Sequence, residues 1–158
     1  MGRLGSVSER YVSFLLGTDR YCVPVDKVLQ IVRPEGLMTV PQSPSFVAGV
    51  INLRGDVVPV VNLKDRLGLD EAVPDQPLAS RARVVVVRTG NRLFGLQVDE
   101  VREIVAVDES AAEGESLADG VPAHFVRAVT QRDGGTLLIL DLQRVPGVGR
   151  DIASPGPA

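Results

Sequence analysis

Apolar and polar positions along this chain fall into short blocks whose period alternates between two and about three and a half. Residues 11–16 are mostly apolar, Gly17-Thr18-Asp19-Arg20 is polar, and 21–25 is apolar again. That pattern predicts two strands joined by a turn. Residues 84–87, 89–92 and 93–98 repeat it. Val25, Val28, Leu29 and Val32 then take helical spacing, as do Val98, Val101 and Val105. The spacing predicts a two-turn helix after each hairpin, too short to persist without packing. Two more apolar strands, 46–51 and 57–61, flank Asn52-Leu53-Arg54-Gly55-Asp56, where Gly55 can supply the positive φ of a tight turn. The corresponding later turn is Gln131-Arg132-Asp133-Gly134-Gly135. Asn62 suits a helix N-cap, with Asp65 at the third helical position and Gly68 as a stop, and Asp141 caps 142–145 in the same way. Pro24 and Pro59 sit inside strand patterns and predict edges or bulges.

The blocks occur twice. A shift of 73 residues lays Gly17 on Gly90, Asp26 on Asp99, Val28 on Val101 and Ile31-Val32 on Ile104-Val105. A shift of 79 lays Phe46-Val47 on Phe125-Val126, Val50 on Val129, Gly55 on Gly134 and Leu63 on Leu142. Two blocks in the same order with a small change of offset indicate duplication. The halves run from about 11 to 69 and from 81 to 145. Short strands and few helices in each predict two small barrels. Residues 70–80, with Pro74 and Pro77, are the expected joint. Residues 108–119 carry five acidic side chains and no basic one, as a solvated loop would. The stretch 1–10 is expected to be an extension, and 146–158, rich in Pro, Gly and Ala, a disordered tail.

Composition narrows the class. Aromatic residues make up only 4% of the chain and Trp is absent, so Val, Leu and Ile must build the core, and β-branched residues favour strands. The net charge of -3 argues against a nucleic-acid face. Cys22 is the single cysteine, which rules out an intrachain disulfide and reads as a buried, inert thiol. Residues 1–9 lack the apolar region of a secretory signal, and no stretch approaches a membrane span. The Met1-Gly2 start matches the loose myristoylation pattern by chance. A soluble cytoplasmic protein with no direct membrane insertion is expected.

Catalytic chemistry is hard to find. One histidine, His124, and one cysteine cannot supply Cys/His zinc spacing, and there is no phosphate-binding loop. His124 reads as structural or surface, and Ser43 and Ser45 as loop residues without a base. Asp19/Asp26 and Asp99/Glu100 read as solvated carboxylates. No catalytic residue, cofactor or metal is expected, and the chain is expected not to be an enzyme. Arg54-Gly55-Asp56 reads as a polar turn, within which Arg54 can project a permanent charge towards a partner.

Phe46-Val47-Ala48-Gly49-Val50-Ile51-Asn52-Leu53-Arg54-Gly55-Asp56-Val57-Val58-Pro59-Val60-Val61-Asn62-Leu63 resembles the central signature of CheW-like domains. Residues 21–32 and 98–105 resemble the strand-helix segments of that family, and the likeness spans about 11–147 as a single domain. The resemblance implies an all-β fold of two five-stranded SH3-like barrels packed around a shared hydrophobic core. It also implies a non-catalytic chemotaxis adaptor. Its expected partners are the C-terminal regulatory domain of the chemotaxis histidine kinase and the helical cytoplasmic tip of the chemoreceptors, with recruitment to membrane-proximal arrays. The receptor helix is expected in the groove between the barrels.

By resemblance, Val28, Arg54 and Val57 match receptor-contact positions. Gln30 stands where the family often has a glutamate paired with the arginine, so the partner of Arg54 is Gln30 by hydrogen bond, or else Asp56 or Asp26. Kinase contacts are expected around Val86, Leu93 and Leu96. No receiver-like domain is expected after Val145. The alternative is a CheW-like adaptor of a chemotaxis-like pathway with another output, such as pilus-driven or gliding motility. Single-stranded nucleic-acid binding and a small-molecule enzyme are the readings from other classes.

Overall fold

Both faces of the central strands are apolar, and the fold uses both. The computed structural model describes residues 8–69, 80–108, 123–132 and 135–146. In chain order the strands are β1 (Ser8–Leu16), β2 (Asp19–Pro24), β3 (Val28–Val32), β4 (Val47–Leu53), β5 (Asp56–Asn62), β6 (Arg83–Thr89), β7 (Arg92–Val98), β8 (Glu100–Asp108), β9 (Val126–Arg132) and β10 (Gly135–Leu140). One short helix, α1 (Leu63–Arg66), follows β5. The strands form two five-stranded sheets, β8-β1-β2-β10-β9 and β3-β6-β7-β5-β4. The fold is all-β, two SH3-like barrels around a shared core.

Each barrel draws strands from both halves of the repeat. The first two strands of one half complete the sheet made by the last three of the other. The two parallel pairs, β2 with β10 and β5 with β7, are repeat mates of one another.

This arrangement explains the valine run. Val85 and Val87 face a large cluster shared by both barrels, together with Phe14, Tyr21, Leu63, Phe94, Leu138 and Leu142. Val84 and Val86 face the other way, into the interior of their own barrel, with Ile51, Val58 and Val60. Tyr11, Cys22, Val105, Leu137 and Ile139 fill the other barrel. A strand buried on both faces loses the alternation that marks an exposed side.

The expected helices after each hairpin are strands instead. Val25–Lys27 forms a single 3-10 turn, and β3 follows directly. Its mate in the second half is β8, nine residues long. The helical spacing has a local cause: Val25 lies in the turn ahead of β3, and Leu29 is apolar although it faces outward. Both β3 and β8 also carry a one-residue register shift. In β3 the extra residue lies between Val28 and Gln30. In β8 it lies between Val101 and Ile104, opposite Ser13, whose buried hydroxyl donates to the Glu103 carbonyl at 2.6 Å.

Other local expectations hold. Asn62 Oδ1 accepts from the Asp65 N–H at 3.3 Å, capping α1, and Gly68 closes the turn at φ +73°. Asp141 Oδ1 accepts from the Gln143 N–H at 3.0 Å. Pro24 ends β2. Pro59 lies within β5, but pairing of β5 with β7 starts only at Val60, so the missing N–H faces an open flank. The expected joint at 70–80, except Ser80, the acidic stretch beyond Asp108, the turn centre at 133–134 and the tail after Pro146 lie outside the described residues.

The repeat mates meet at α1. Phe46 O accepts from the Asn62 N–H (2.7 Å), and its mate Phe125 O accepts from the Asp141 N–H (2.9 Å). Between the two phenylalanine rings lies the Arg66 guanidinium, 4.0 Å from the centre of Phe46 and 5.1 Å from that of Phe125. Its Nε donates to the carbonyl of Val145, its own repeat mate, at 2.6 Å. A planar cation with two aromatic faces and one carbonyl is a use that only arginine serves.

Candidate partner-binding surface

The hairpin joining β4 to β5 is closed by the pair Leu53–Asp56, which leaves Arg54 and Gly55 as a two-residue turn. Their φ values are +55° and +90°. Positive φ at both positions is the form that matches strand twist, and glycine or asparagine is the usual choice for the first. Arg54 there costs roughly 1 kcal/mol. Asn52 holds the turn by accepting the Gly55 N–H at 3.1 Å. Arg54 itself is exposed and makes no hydrogen bond or ion pair with the described residues. The expected pairings with Gln30, Asp56 or Asp26 are therefore not formed. A strained, unpaired cation contributes nothing to the fold that a glycine or asparagine would not.

Val57 lies beside this turn and is 59% exposed. Residues 56–59 pair only with β4, which leaves this end of β5 uncovered. Beneath it is a pocket of about 150 Å³ formed by Val57, Pro59, Asn91, Arg92, Leu93, Phe94 and Pro146. The structure thus brings Leu93, a kinase-contact expectation, next to Val57, a receptor-contact expectation. Val28 is half-buried against the shared core and pairs with Val87, which in turn pairs with Phe94 at the wall of that pocket. Gln30 is half-buried on β3, opposite Val86.

Val86 and Leu96 are fully buried. They fill a barrel interior and the shared core, respectively, so neither can present a side chain to a partner in this fold. Leu93 is half-buried. The outward apolar residues of β3 are instead Leu29 and Ile31, 49% and 41% exposed. Ile104, the mate of Ile31, is exposed on β8 of the other barrel. Both strands lie at sheet edges. Reading 28–32 with a period of two would have found them.

Between the barrels lies a second crevice, of about 140 Å³. It is lined by Pro24, Lys27, Thr89, Gly90, Arg127, Leu140, Asp141, Leu142 and Gln143.

Residues with catalytic potential are placed unfavourably. The Cys22 thiol is buried, and that burial pushes its pKa up to about 12 although Arg127 and Arg20 pull it down. His124 packs edge-on against Phe125, with ring centres 4.8 Å apart. Ser43 Oγ donates to the Val40 carbonyl. Among the described residues no group of His, Cys, Asp or Glu could hold a metal ion, and no helix is long and apolar enough to cross a membrane.

Comparison with known proteins bears on this surface. The family model of the CheW-like domain matches residues 10–147. The chain is 31% identical over 144 residues to the chemotaxis protein CheW of Rhizobium meliloti, covering 90% of each chain. It is 30% identical over 129 residues to the chemotaxis protein CheW of Helicobacter pylori, covering 77% of this chain and 76% of that one. Protein FrzA of Myxococcus xanthus is 29% identical over 126 residues, covering 80% of this chain and 76% of that one. Among solved structures, the scaffolding protein TtCheW from Thermoanaerobacter tengcongensis superposes with a TM-score of 0.80 at 26% identity, covering 90% of this chain and 95% of that one.

Proposed function

The chain belongs to the CheW-like domain family and is a chemotaxis adaptor, and we propose that it couples receptor to kinase by holding each on a separate surface. The family is one of scaffolds, which places this chain's role in coupling chemotaxis components. The finer reading assigns the helical receptor tip to the groove side of the β3-β6-β7-β5-β4 barrel, with Val28 and Val57 as apolar contacts, Arg54 as the charged contact and Gln30 beside them. Apolar area supplies affinity in such a groove, and one charge supplies register.

The observation that carries this reading is Arg54. It is exposed, occupies a left-handed conformation that costs energy, and has no partner among the described residues, next to an exposed valine. The regulatory domain of the kinase is assigned to the other partner surface. Of the three residues expected there, Val86 and Leu96 are core, and Leu93 lines the same pocket as Val57, so it does not mark a separate surface. We treat 11–147 as one folding unit, acting in the cytoplasm at receptor arrays without catalysis or cofactor. A second reading, an adaptor of a chemotaxis-like pathway with a different output, has the similarity to Protein FrzA in its favour.

The test is Arg54→Glu. The variant is expected to keep the wild-type melting temperature and kinase-domain affinity while its affinity for a receptor-tip fragment falls about a hundredfold. Unchanged receptor affinity in calorimetry would remove Arg54 from the site.

A further inference from the structure

The duplication provides an internal comparison for the crevice between the barrels. Gly17 and Gly90 are mates, as are Asp26 and Asp99 at the same shift, and Lys64 and Gln143 at the second shift. Around Gly17 the space is filled from within the chain. Asp99 Oδ2 accepts from the Gly17 N–H at 2.7 Å and lies 3.1 Å from Lys64 Nζ, while the Asp99 N–H donates to the Leu15 carbonyl. One carboxylate thus joins a hairpin of one barrel to the helix of the other.

Around Gly90 the same components are separated. Gly90 keeps the left-handed conformation of its mate, φ +59° against +64°. Asp26, however, is exposed and lines a different cleft with Glu9, Arg10 and Val25. Gln143 stands where Lys64 would be. The crevice of about 140 Å³ results, and among the described residues Lys27 and Arg127 bring two positive charges to its lining against one carboxylate, Asp141. Asp141 already accepts from the Gln143 N–H and lies 3.5 Å from Arg144. Arg127 is anchored by donating to the Tyr11 hydroxyl at 3.1 Å.

We propose that this crevice is a carboxylate subsite, occupied by an acidic side chain of the receptor helix that lies between the barrels. The chemistry is taken from the mate, where a glycine N–H and a lysine ammonium hold a carboxylate. The source of the carboxylate rests on the function proposed above. A glycine, a lysine and an arginine lining one small cavity suit a charge-assisted contact that fixes the register of a helix.

Glutarate, titrated into the full isotope-labelled chain at constant ionic strength, tests the chemistry. The Gly90 amide resonance is expected to shift and saturate, and to stop responding in Lys27→Glu. The Gly17 amide, whose site Asp99 fills, is expected to stay still and to become responsive in Asp99→Ala. A Gly90 amide that follows only the chloride control overturns the subsite. A receptor-tip fragment then tests the source: Lys27→Glu is expected to weaken it about tenfold, and a Glu→Lys change in the fragment to restore binding. A glutarate response at Gly90 with unchanged fragment affinity would leave the carboxylate site standing and overturn the receptor as its source. Arg54→Glu reports on the receptor reading separately, since Arg54 lies outside this crevice.

Discussion

The α1 segment and its repeat mate, residues 142–145, began as the same piece of chain and now do different work. Both insert a leucine, Leu63 and Leu142, into the shared core, and both are capped by the preceding Asn62 or Asp141. On the α1 side, Lys64 and Arg66 are tied to the opposite barrel. On the other side, Gln143 and Val145 stand at the two positions and carry no charged side chain, and a crevice opens. Buried positions of a duplicated unit stay alike because the same core must be filled. Polar positions diverge, because closing the interface once is sufficient to hold the barrels together, and the second copy is free to stay open.

The largest expected effect breaks another pair of mates, Gly49 and Ala128. Gly49 sits at φ +152°, and a Cβ there would collide with the Met38 carbonyl, which accepts the N–H of Val50 in a backbone bridge beside β4. Gly49→Ala is expected to cost about 3 kcal/mol in urea unfolding, combining backbone strain with a clash that backbone cannot relieve. Ala128→Gly should cost only about 1 kcal/mol.

Removing the clasp comes next. Arg66→Ala strips the Val145 carbonyl of its donor and both phenylalanine rings of their cation, for an expected loss of about 2 kcal/mol. Arg66→Lys should recover less than half, because an ammonium cannot stack on two rings. Recovery of full stability by lysine would show that charge alone matters there.

Lys64→Met, against Gln143→Met, measures the tie itself. About 1 kcal/mol is expected for the first, weakening with added salt, and no measurable change for the second.

The smallest effect sharpens the comparison by making the halves more alike. Tyr21, whose hydroxyl is buried without a hydrogen-bond partner, is the mate of Phe94. Tyr21→Phe should change stability by less than about 0.5 kcal/mol at neutral pH, since no bond is lost. At high pH it should help. Burial, and secondarily the charge of Asp19, raises the Tyr21 pKa from 10.0 to about 12. The unfolded chain therefore releases this proton first, and the wild type loses stability as pH rises from 10 towards 12. The Cys22 thiol, raised to about 12 by burial, acts in the same direction from a lower starting pH. A melting temperature for Tyr21→Phe that falls as steeply as wild type above pH 10 would contradict the assignment.

Strands, turns and caps were legible in the sequence wherever local chemistry decides them. Gly55, Asn62, Gly68 and the duplication all carried their own signals. The segments 25–32 and 98–105 misled because each runs across an element boundary, from a turn into β3 and from the end of β7 into β8, and the joined apolar positions imitate helical spacing. Val86 and Leu96 misled for the opposite reason: with both faces of β6 and β7 buried, apolar content says nothing about which side a residue faces. Arg54 and Val57 are proposed as contacts on the signature around them, and the structure adds their exposure. Lys64, Asp99 and Arg66 were not legible, because their partners lie 35 residues or more away in the chain, at Asp99, Gly17 and Val145.

The exchange of strands between the halves has a consequence for synthesis. When the first half has left the ribosome, it holds two hairpins and a lone β3, with no third neighbour for any of them. The sheet containing β3, β4 and β5 can close once β7 has emerged, but β1 and β2 must wait for β8 and for β10, the last of the described strands. Although paired with each other, β1 and β2 thus keep their outer edges unpaired until strands of the second half have been made, and their apolar faces stay open for that time. A cell making this adaptor must shield the β1–β2 hairpin for that time, and a ribosome that stalls between the halves releases a sticky fragment rather than half a fold.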